Sequence, residues 1–211
     1  MKLYSTSKVQ RRLGERLFLK AERDATPKSA MARRPYPPGM HGSKRGRRSR
    51  GLSEFGQALR EKQKIRFLYG LSDAQLKRYA KAAAGSRKGS KTQALIERLE
   101  RRTDSAVFKM GFGPSRRVAR QLVSHGHLLM NGRRVRSPSH LLRPGDRLTI
   151  REASRSHPWL AGIAVRLKKH QPPEWLEVSA EDWSGRVKQL PTAGDEHASL
   201  DMSKVIEFYS R

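Results

Sequence analysis

The sequence of 211 residues predicts an α+β fold, in which a helical domain accompanies a module of helices and a small antiparallel sheet. Apolar residues recur at helical spacing between residues 52 and 101, which indicates the helical domain. Asn131-Gly132, the pair preferred in two-residue hairpin turns, separates two short runs typical of strands. Residues 1–51 combine lysine and arginine with proline and glycine, and hold few apolar residues, which is typical of an extended basic arm.

The helical domain is expected to contain three helices. The first runs from Leu52 to Gly70 and has a basic flank made of Arg60, Lys62, Lys64 and Arg66. Ser72 is placed to cap a second helix that continues to Gly85, and Ser90 is placed to cap a third. Serine suits these positions because its hydroxyl accepts a hydrogen bond from a backbone N–H group that the helix leaves unpaired.

The most regular pattern in the chain lies between residues 115 and 150. Ser115 is placed to begin a helix and Gly126 to end it. This helix has an apolar stripe on one face and, on the other, Arg116, Arg117 and Arg120. The strands predicted after it are Leu128 to Met130 and Arg133 to Val135, joined by a type I′ turn, and Arg147 to Ile150 after Pro144-Gly145-Asp146.

Shorter elements are predicted on either side of this pattern. Thr103 or Asp104 is expected to cap a helix from Ser105 to Met110. Toward the C-terminus the sequence predicts a helix that begins at His157-Pro158 and ends in Lys168, Lys169 and His170. Two strands, Trp175 to Val178 and Gly185 to Leu190, and a final helix from Met202 to Tyr209 are predicted after it.

The composition indicates a polyanionic partner. Lysine and arginine total 46 against 19 aspartate and glutamate residues, so the formal net charge is +27. Residues 1–170 hold 42 basic and 11 acidic residues, whereas residues 171–211 hold 4 and 8. A chain with this charge repels itself in isolation. No stretch approaches the ~18 consecutive apolar residues of a membrane span, so nucleic acid is favoured over a membrane as the partner.

Cysteine usage and the first residues indicate the compartment. The chain contains no cysteine, which excludes disulfides and the thiolate ligands of a structural zinc site and fits a reducing cytoplasm. The opening residues, MKLYSTSKVQRRLG, lack the apolar core of a signal peptide. We therefore expect a cytoplasmic protein that uses no cofactor.

Clusters of basic residues form the candidate RNA-binding surface. The helix and hairpin of the module supply Arg116, Arg117, Arg120, Arg133, Arg134 and Arg136, and further candidates are Arg33, Arg34, Lys62, Lys64 and Arg66. Arginine suits this task because its planar fork binds phosphate through two hydrogen bonds and stacks on unpaired bases. In the segment HGSKRGRRSR, from His41 to Arg50, the residues expected to follow an RNA backbone are Lys44, Arg45, Arg47, Arg48 and Arg50. A solvated face or linker is the alternative interpretation of these clusters.

Structural roles explain the remaining candidate functional residues better than metal binding, catalysis or base stacking does. His125 and His127 have no carboxylate or thiol at ligand spacing, which favours packing or RNA hydrogen bonding over metal binding. Asp104 has the side chain of a nucleophile, but a helix cap is the favoured role. The tryptophans are expected in the core or at an interface rather than stacked on bases: Trp159, Trp175 and Trp183. The sequence thus predicts no catalytic residue and no metal site.

The segment SRRVARQLVSHGHLLMNGRRVRSPS, from Ser115 to Ser139, and the RPGD that follows it resemble the RNA-binding domain named after protein four of the bacterial small ribosomal subunit. Other segments are similar to the same ribosomal protein family: RRPYPPGMHG (Arg33 to Gly42), LREKQKIRFLYG (Leu59 to Gly70), FKMGFG (Phe108 to Gly113), WLEV (Trp175 to Val178) and VIEFYSR (Val205 to Arg211). The matches are collinear and span nearly the whole chain.

The resemblance implies a primary binder of small-subunit ribosomal RNA that organises an RNA junction during assembly. It also implies contacts with neighbouring small-subunit proteins, a role in decoding accuracy, and messenger RNA near the basic segment 44–50. The RNA-binding module with its β extension, residues 102–190, becomes an insertion in a helical domain that comprises residues 52–101 and is completed by residues 191–211. The alternative is an RNA-modifying enzyme, or a free RNA-binding stress factor, that carries the same module.

Many members of the resembled family hold zinc near the N-terminus with two pairs of cysteines. The matching positions in this sequence are Ser7, Gln10, Asp24 and Ser29. Because none of these residues is a thiol, we expect no zinc site and expect local packing to hold the arm.

Overall fold

The computed structural model describes residues 5–19, 24–40, 42, 51–86, 89–157, 160, 162–192 and 200–210. Within this part of the chain there are nine α-helices and one five-stranded antiparallel sheet, so the predicted α+β class is confirmed. The chain divides into two compact units, one made of Met1–Thr92 with Asp195–Arg211 and the other of Gln93–Gly194. None of the helices described is long and apolar enough to cross a membrane.

The first unit is helical. Its elements are α1 (Thr6–Leu13), α2 (Ala30–Arg33), α3 (Glu54–Leu68), α4 (Asp73–Ala84), the first residues of α5 (Lys91–Glu100), and the C-terminal helix, Met202–Ser210. Ser72 caps α4 as predicted and forms a reciprocal capping box with Gln75. Ser53 caps α3, where its side chain accepts a hydrogen bond from the Gly56 N–H. The C-terminal helix packs against α3 and α4.

The described part of the basic arm contains two helices, α1 and α2, that the sequence did not predict. Val9 and Leu13 lie four residues apart on α1 and pack with Leu17, which gives a small apolar cluster. Arg11 donates hydrogen bonds from Nε to the carbonyl oxygens of Arg34 and Tyr36, at 3.1 and 2.9 Å. These hydrogen bonds join residues more than twenty positions apart, so local sequence patterns do not predict them. The high charge and proline content of the region favoured the prediction of an extended arm.

The second unit combines helices with the sheet. After most of α5 it contains α6 (Thr103–Lys109), α7 (Arg116–Ser124), β1 (Leu128–Met130), β2 (Arg133–Val135), β3 (Arg147–Ile150), a 3-10 turn (Glu152–Ser154), α8 (Ile163–Lys169), β4 (Leu176–Ser179) and β5 (Ser184–Val187). The strand order is β2-β1-β3-β5-β4 and every pairing is antiparallel. The Met202–Ser210 helix, α9 in chain order, belongs to the first unit.

The local signals that predicted the centre of this unit are confirmed. Ser115 Oγ accepts a hydrogen bond from the Val118 N–H at 3.4 Å, and α7 follows. Asn131 and Gly132 have φ values of 50° and 80°, as a type I′ hairpin turn requires. Gly126, with φ of 71°, turns the chain from α7 into β1, and a Cβ atom at this position would collide with the Arg134 guanidinium.

Two predicted helix starts are wrong. α6 begins at Thr103, so Arg102 is the N-cap residue instead of Thr103 or Asp104. The helix predicted from His157-Pro158 begins at Ile163, after Gly162 in a left-handed conformation, and Pro158 lies outside the described residues. In both places the prediction depended on a residue type that is common at helix starts. Residue type alone does not determine which residue forms the first backbone hydrogen bonds of the helix.

One apolar cluster joins the helices and strands of the second unit. α7 contributes Ala119, Leu122 and Val123, and the sheet contributes residues on β1 and β3, among them Leu148 and Ile150. Leu122 is 1% exposed. This packing holds α7 against the sheet and leaves Arg117 of α7 and Arg133 and Arg134 of β2 exposed.

We expect Leu122→Asp to unfold the second unit, since it places an unpaired charge in the core at a cost of about 4 kcal/mol or more. Circular dichroism during thermal unfolding measures the effect. Gln121→Asp, on the exposed side of the same helical turn, is the matched control and should leave the unfolding midpoint nearly unchanged. Equal midpoints for the two variants would contradict the burial of α7.

Candidate nucleic-acid interface

A buried ion pair fixes the start of the RNA-binding module. Arg102 is 0% exposed, and its Nε and Nη2 donate hydrogen bonds to Oδ1 and Oδ2 of Asp104 at 3.0 and 2.7 Å. The Asp104 backbone N–H donates to the Pro138 carbonyl at 3.1 Å, and Asp104 Oδ1 also accepts from the Ser105 N–H at 3.0 Å. The Asp104 carboxylate is therefore held in structural hydrogen bonds.

The three arginines of α7 do not form one solvent-facing row, which corrects the prediction from helical spacing. Arg117 is exposed, but the Arg116 side chain is 18% exposed, with Nη2 3.4 Å from Glu100 Oε1. Arg120 Nη1 lies 3.8 Å from Asp104 Oδ2. Arg116 and Arg120 are drawn inward because carboxylates from α5 and α6 lie beside α7, and the periodicity of α7 alone carries no information about them.

The surroundings of Arg116 are electrostatically crowded. Its guanidinium lies 4.8 Å from the centroid of the Phe108 ring, a distance suited to a cation–π contact. Burial lowers the pKa of nearby Lys109 to about 8, with Glu100 opposing the shift and Arg116 adding to it. Arg116 is thus part of the packing between α5, α6 and α7.

The hairpin arginines Arg133, Arg134 and Arg136 are all exposed. Arg134 also has a structural role, because its Nε and Nη2 donate to the carbonyl oxygens of Gly126 and His125 at 2.9 and 3.0 Å. Loss of surrounding water, followed by the positive charges of Arg136 and Arg151, lowers the pKa of Arg134. Like charges are therefore held close together on an exposed surface.

Three histidines lie beside these arginines. The ring centroids of His125 and His127 are 6.0 Å apart, and those of His127 and His157 are 5.2 Å apart. The Arg151 backbone N–H donates to the His127 carbonyl at 2.9 Å, which connects the end of β3 to the start of β1. We call this group the arginine–histidine cluster, which comprises Arg134, Arg136, Arg151, His125, His127 and His157.

Sequence reasoning missed Arg151 and His157 as members of this cluster. They reach it through the pairing of β1 with β3, in which Leu128 lies opposite Ile150. The turn at Pro144-Gly145-Asp146 could have predicted that β3 pairs antiparallel with an earlier strand. The register of that pairing depends on which apolar residues are buried, and the periodicity of one strand does not determine it. Across the described residues, no group of three or more histidine, cysteine, aspartate or glutamate side chains is placed to hold a metal ion.

The predicted basic flank of the helix at 52–70 is wrong for Lys62 and Lys64, which are 7% and 5% exposed. Lys62 Nζ lies 3.0 Å from Asp73 Oδ1 and 4.5 Å from the centroid of the Phe208 ring. Arg66, at the same flank, donates from Nη1 to Gln63 Oε1 at 2.9 Å. The packing of the C-terminal helix on α3 and α4, which is remote in sequence, covers Lys62.

Lys64 lies between two carboxylates of the first unit. Its Nζ is 2.7 Å from Glu15 Oε1 and 2.6 Å from Glu61 Oε1. Burial alone lowers the pKa of Lys64, but the hydrogen bonds to Glu15 and Glu61 outweigh it, so the pKa is raised. Lys64 is therefore held as an internal cation.

The remaining predicted residues fall into two groups. Arg33 and Arg34 are exposed in and after α2. Trp175 is buried and Trp183 packs against the same apolar cluster, which confirms the expectation of core anchors for both. Several predicted residues lie outside the described part of the chain: Lys44, Arg45, Arg47, Arg48, Arg50 and Trp159.

The positions that hold cysteines in zinc-binding relatives contain a different set of donors. Gln10 Nε2 donates to Asp24 Oδ2 at 2.8 Å, and Gln10 Oε1 accepts from the Leu17 N–H at 3.0 Å. Gln10, Asp24 and Ser29 are 2%, 5% and 1% exposed. One carboxylate, one amide and two hydroxyls do not fit a structural zinc site, which requires thiolate or imidazole ligands. The Gln10–Asp24 hydrogen bond instead joins α1 to the segment that precedes α2.

The order of helix, hairpin and antiparallel sheet, with arginines crowded on the hairpin, defines an RNA-binding module. Comparison with known families agrees with this class. Residues 2–100 match the family model described as "Ribosomal protein S4/S9 N-terminal domain", and residues 101–148 match "S4 domain".

Similarity to whole proteins extends further along the chain. The chain is 42% identical over 207 residues to the "Small ribosomal subunit protein uS4" of Pelotomaculum thermopropionicum, covering 98% of this chain and 97% of the relative. It is 43% identical over 201 residues to uS4 of Thermus thermophilus, covering 95% and 94%. For uS4 of Aquifex aeolicus the identity is 41% over 207 residues, covering 97% and 95%.

The chain belongs to the uS4 family of small ribosomal subunit proteins. Proteins of this family are structural components of the ribosome and not enzymes, so the prediction of a non-catalytic protein is confirmed.

We predict that Lys62→Met lowers the free energy of unfolding by about 1–2 kcal/mol, because it removes the ion pair with Asp73 and the cation–π contact with Phe208 while keeping most of the apolar stem. Denaturant unfolding of the variant and the wild type measures this change. Lys77→Met, at an exposed position on α4, is the matched control. A loss of RNA affinity at unchanged stability would show that Lys62 contacts RNA instead.

A second prediction concerns the N-terminal contact. Gln10→Ala should destabilise the first unit by about 2–3 kcal/mol, because it removes a buried hydrogen bond to Asp24 and the side-chain acceptor of the Leu17 N–H group. The exposed Lys8→Ala on the same helix is the control. Adding a zinc chelator to the wild-type protein should leave its unfolding midpoint unchanged; a fall in the midpoint would mean that a metal holds this segment.

Proposed function

We propose that the protein is a primary binder of small-subunit ribosomal RNA that organises an RNA junction as the subunit assembles. The observation that supports this proposal best is the arginine–histidine cluster, where loss of surrounding water and then the charges of Arg136 and Arg151 lower the pKa of Arg134. Such crowding is unfavourable in the free protein and becomes favourable when phosphates lie between the cations. Membership of the uS4 family supports the RNA of the small ribosomal subunit as the partner.

The surface suits phosphate and shape contacts more than the reading of a base sequence. Exposed arginines lie on the first turn of α7 and on β2, the edge strand of the sheet. A helix and a strand that both carry exposed cations can bind neighbouring RNA segments at once. This is the physical basis for organising a junction, and no chemical step is needed.

The proposed partners and location follow from the proposal that the protein is a component of the small ribosomal subunit. Its partners are the ribosomal RNA, neighbouring small-subunit proteins and messenger RNA, and its location is the ribosome of the cytoplasm. The basic segment that contains Lys44, Arg45, Arg47, Arg48 and Arg50 is proposed to lie near the channel through which messenger RNA enters, with an effect on decoding accuracy.

We expect binding to small-subunit ribosomal RNA to weaken about a thousandfold or more between 50 and 200 mM monovalent salt, as for roughly 6 to 10 phosphate contacts. Arg117→Gln/Arg133→Gln/Arg136→Gln should weaken binding. The slope of the logarithm of affinity against the logarithm of salt concentration should then correspond to about three fewer phosphate contacts. Filter binding over a salt series measures both quantities.

The matched control removes three exposed positive charges from the part of the sheet that carries carboxylates: Arg147→Gln/Arg186→Gln/Lys188→Gln. Arg147 and Lys188 already lie beside Asp182 and Glu177, at 3.2 and 4.0 Å. This variant should lose little affinity. A flat salt dependence of the wild type, or equal losses in the two triple variants, would overturn the proposed interface.

A further inference from the structure

The arginine–histidine cluster brings together three imidazoles from two parts of the chain. His125 and His127 flank Gly126 at the end of α7, and His157 follows the 3-10 turn. His127 is within 6.0 Å of His125 and 5.2 Å of His157, measured between ring centroids, and one of its nitrogens, Nδ1, lies 3.1 Å from Ser154 Oγ. Three titratable rings therefore share one small surface beside the hairpin arginines.

Arg151 and Arg134 act on His127 with positive charge, and further charged residues follow on the same elements. Arg134 and Arg136 lie on and after β2, Arg151 follows β3, and Arg155 follows the 3-10 turn with its guanidinium 5.5 Å from the Trp183 ring. The 3-10 turn also carries a carboxylate, that of Glu152, which is exposed. Partial burial, then His157, His125, Arg151 and Arg134 in that order, lower the pKa of His127. The surroundings of His127 in the free protein therefore disfavour its protonated form.

Bound RNA reverses this electrostatic balance. A phosphate at the cluster offsets the repulsion from the arginines and favours the protonated imidazole, so the pKa of a histidine at this surface rises on binding.

We propose that His125, His127 and His157 are ligands for RNA phosphate that take up protons on binding, so that RNA affinity rises as the pH falls from 8 to 6. This inference rests on the proposed RNA-binding function and adds a regulation of the same surface. The ligand is RNA backbone phosphate, and the proton comes from solvent.

The sign of the pH dependence is set by the change in the pKa of His127 between the free and the RNA-bound protein. The bound-state pKa is the higher one, so the additional affinity is fully present below the free-state pKa and is lost as the pH rises through the bound-state pKa. The expected gain is about tenfold in affinity for each histidine whose pKa rises by one unit on binding.

The test uses the full-length protein and small-subunit ribosomal RNA transcribed in vitro. Affinity is measured at pH 6.0, 7.0 and 8.0 at constant ionic strength, and we expect it to be at least about tenfold higher at pH 6.0 than at pH 8.0. His125→Gln/His127→Gln/His157→Gln should abolish most of this difference. His140→Gln, at an exposed histidine outside the cluster, should retain it.

A second measurement needs no variant. Isothermal titration calorimetry of the wild type at pH 6.5, in two buffers with different ionisation enthalpies, counts the protons taken up per complex. We expect about one or more. Salt-dependent binding with no proton uptake and no pH dependence would overturn this inference and leave the proposed function standing, whereas no binding at any pH would overturn both.

Discussion

The excess of positive charge is the constraint on which the rest of the structure depends. The 46 lysine and arginine residues far outnumber the 19 carboxylates, so most cations cannot be neutralised within the chain. Among the described residues, carboxylates whose ion pairs fasten one element to another or brace a single helix include Glu15, Glu61, Asp73, Glu97, Glu100 and Asp104. These carboxylates stabilise the fold, and we propose that exposed arginines bind an external polyanion.

The structure contains buried arginines in ion pairs and exposed arginines, which the sequence alone does not distinguish. Arg102 makes two hydrogen bonds to Asp104 in a site closed to solvent, where its role is to orient the start of α6. Arg117, Arg133 and Arg136 are exposed on α7 and around β2. A buried pair of this kind adds little net stability compared with apolar packing, but breaking it leaves an uncompensated charge.

Local rules predicted much of the module. Ser115 as a cap, Gly126 as the helix stop and Asn131-Gly132 as the hairpin turn each depend on a few adjacent residues, and each is found in the structure. The errors have a common cause, since Lys62 and Arg116 are covered or paired by residues from other helices. No periodicity within one helix reports such partners.

We propose that the cations divide into internal ones that stabilise the fold and exposed ones that bind RNA. The most direct measurement pairs the unfolding midpoint of the free protein with its RNA affinity for single glutamine variants of Lys64, Arg102, Arg117, Arg133 and Arg136. We expect the Lys64 and Arg102 variants to lose stability, whereas the other three keep the wild-type midpoint and lose affinity. A wild-type midpoint for Arg102→Gln, or a loss of stability in the exposed variants in proportion to their loss of affinity, would contradict this division.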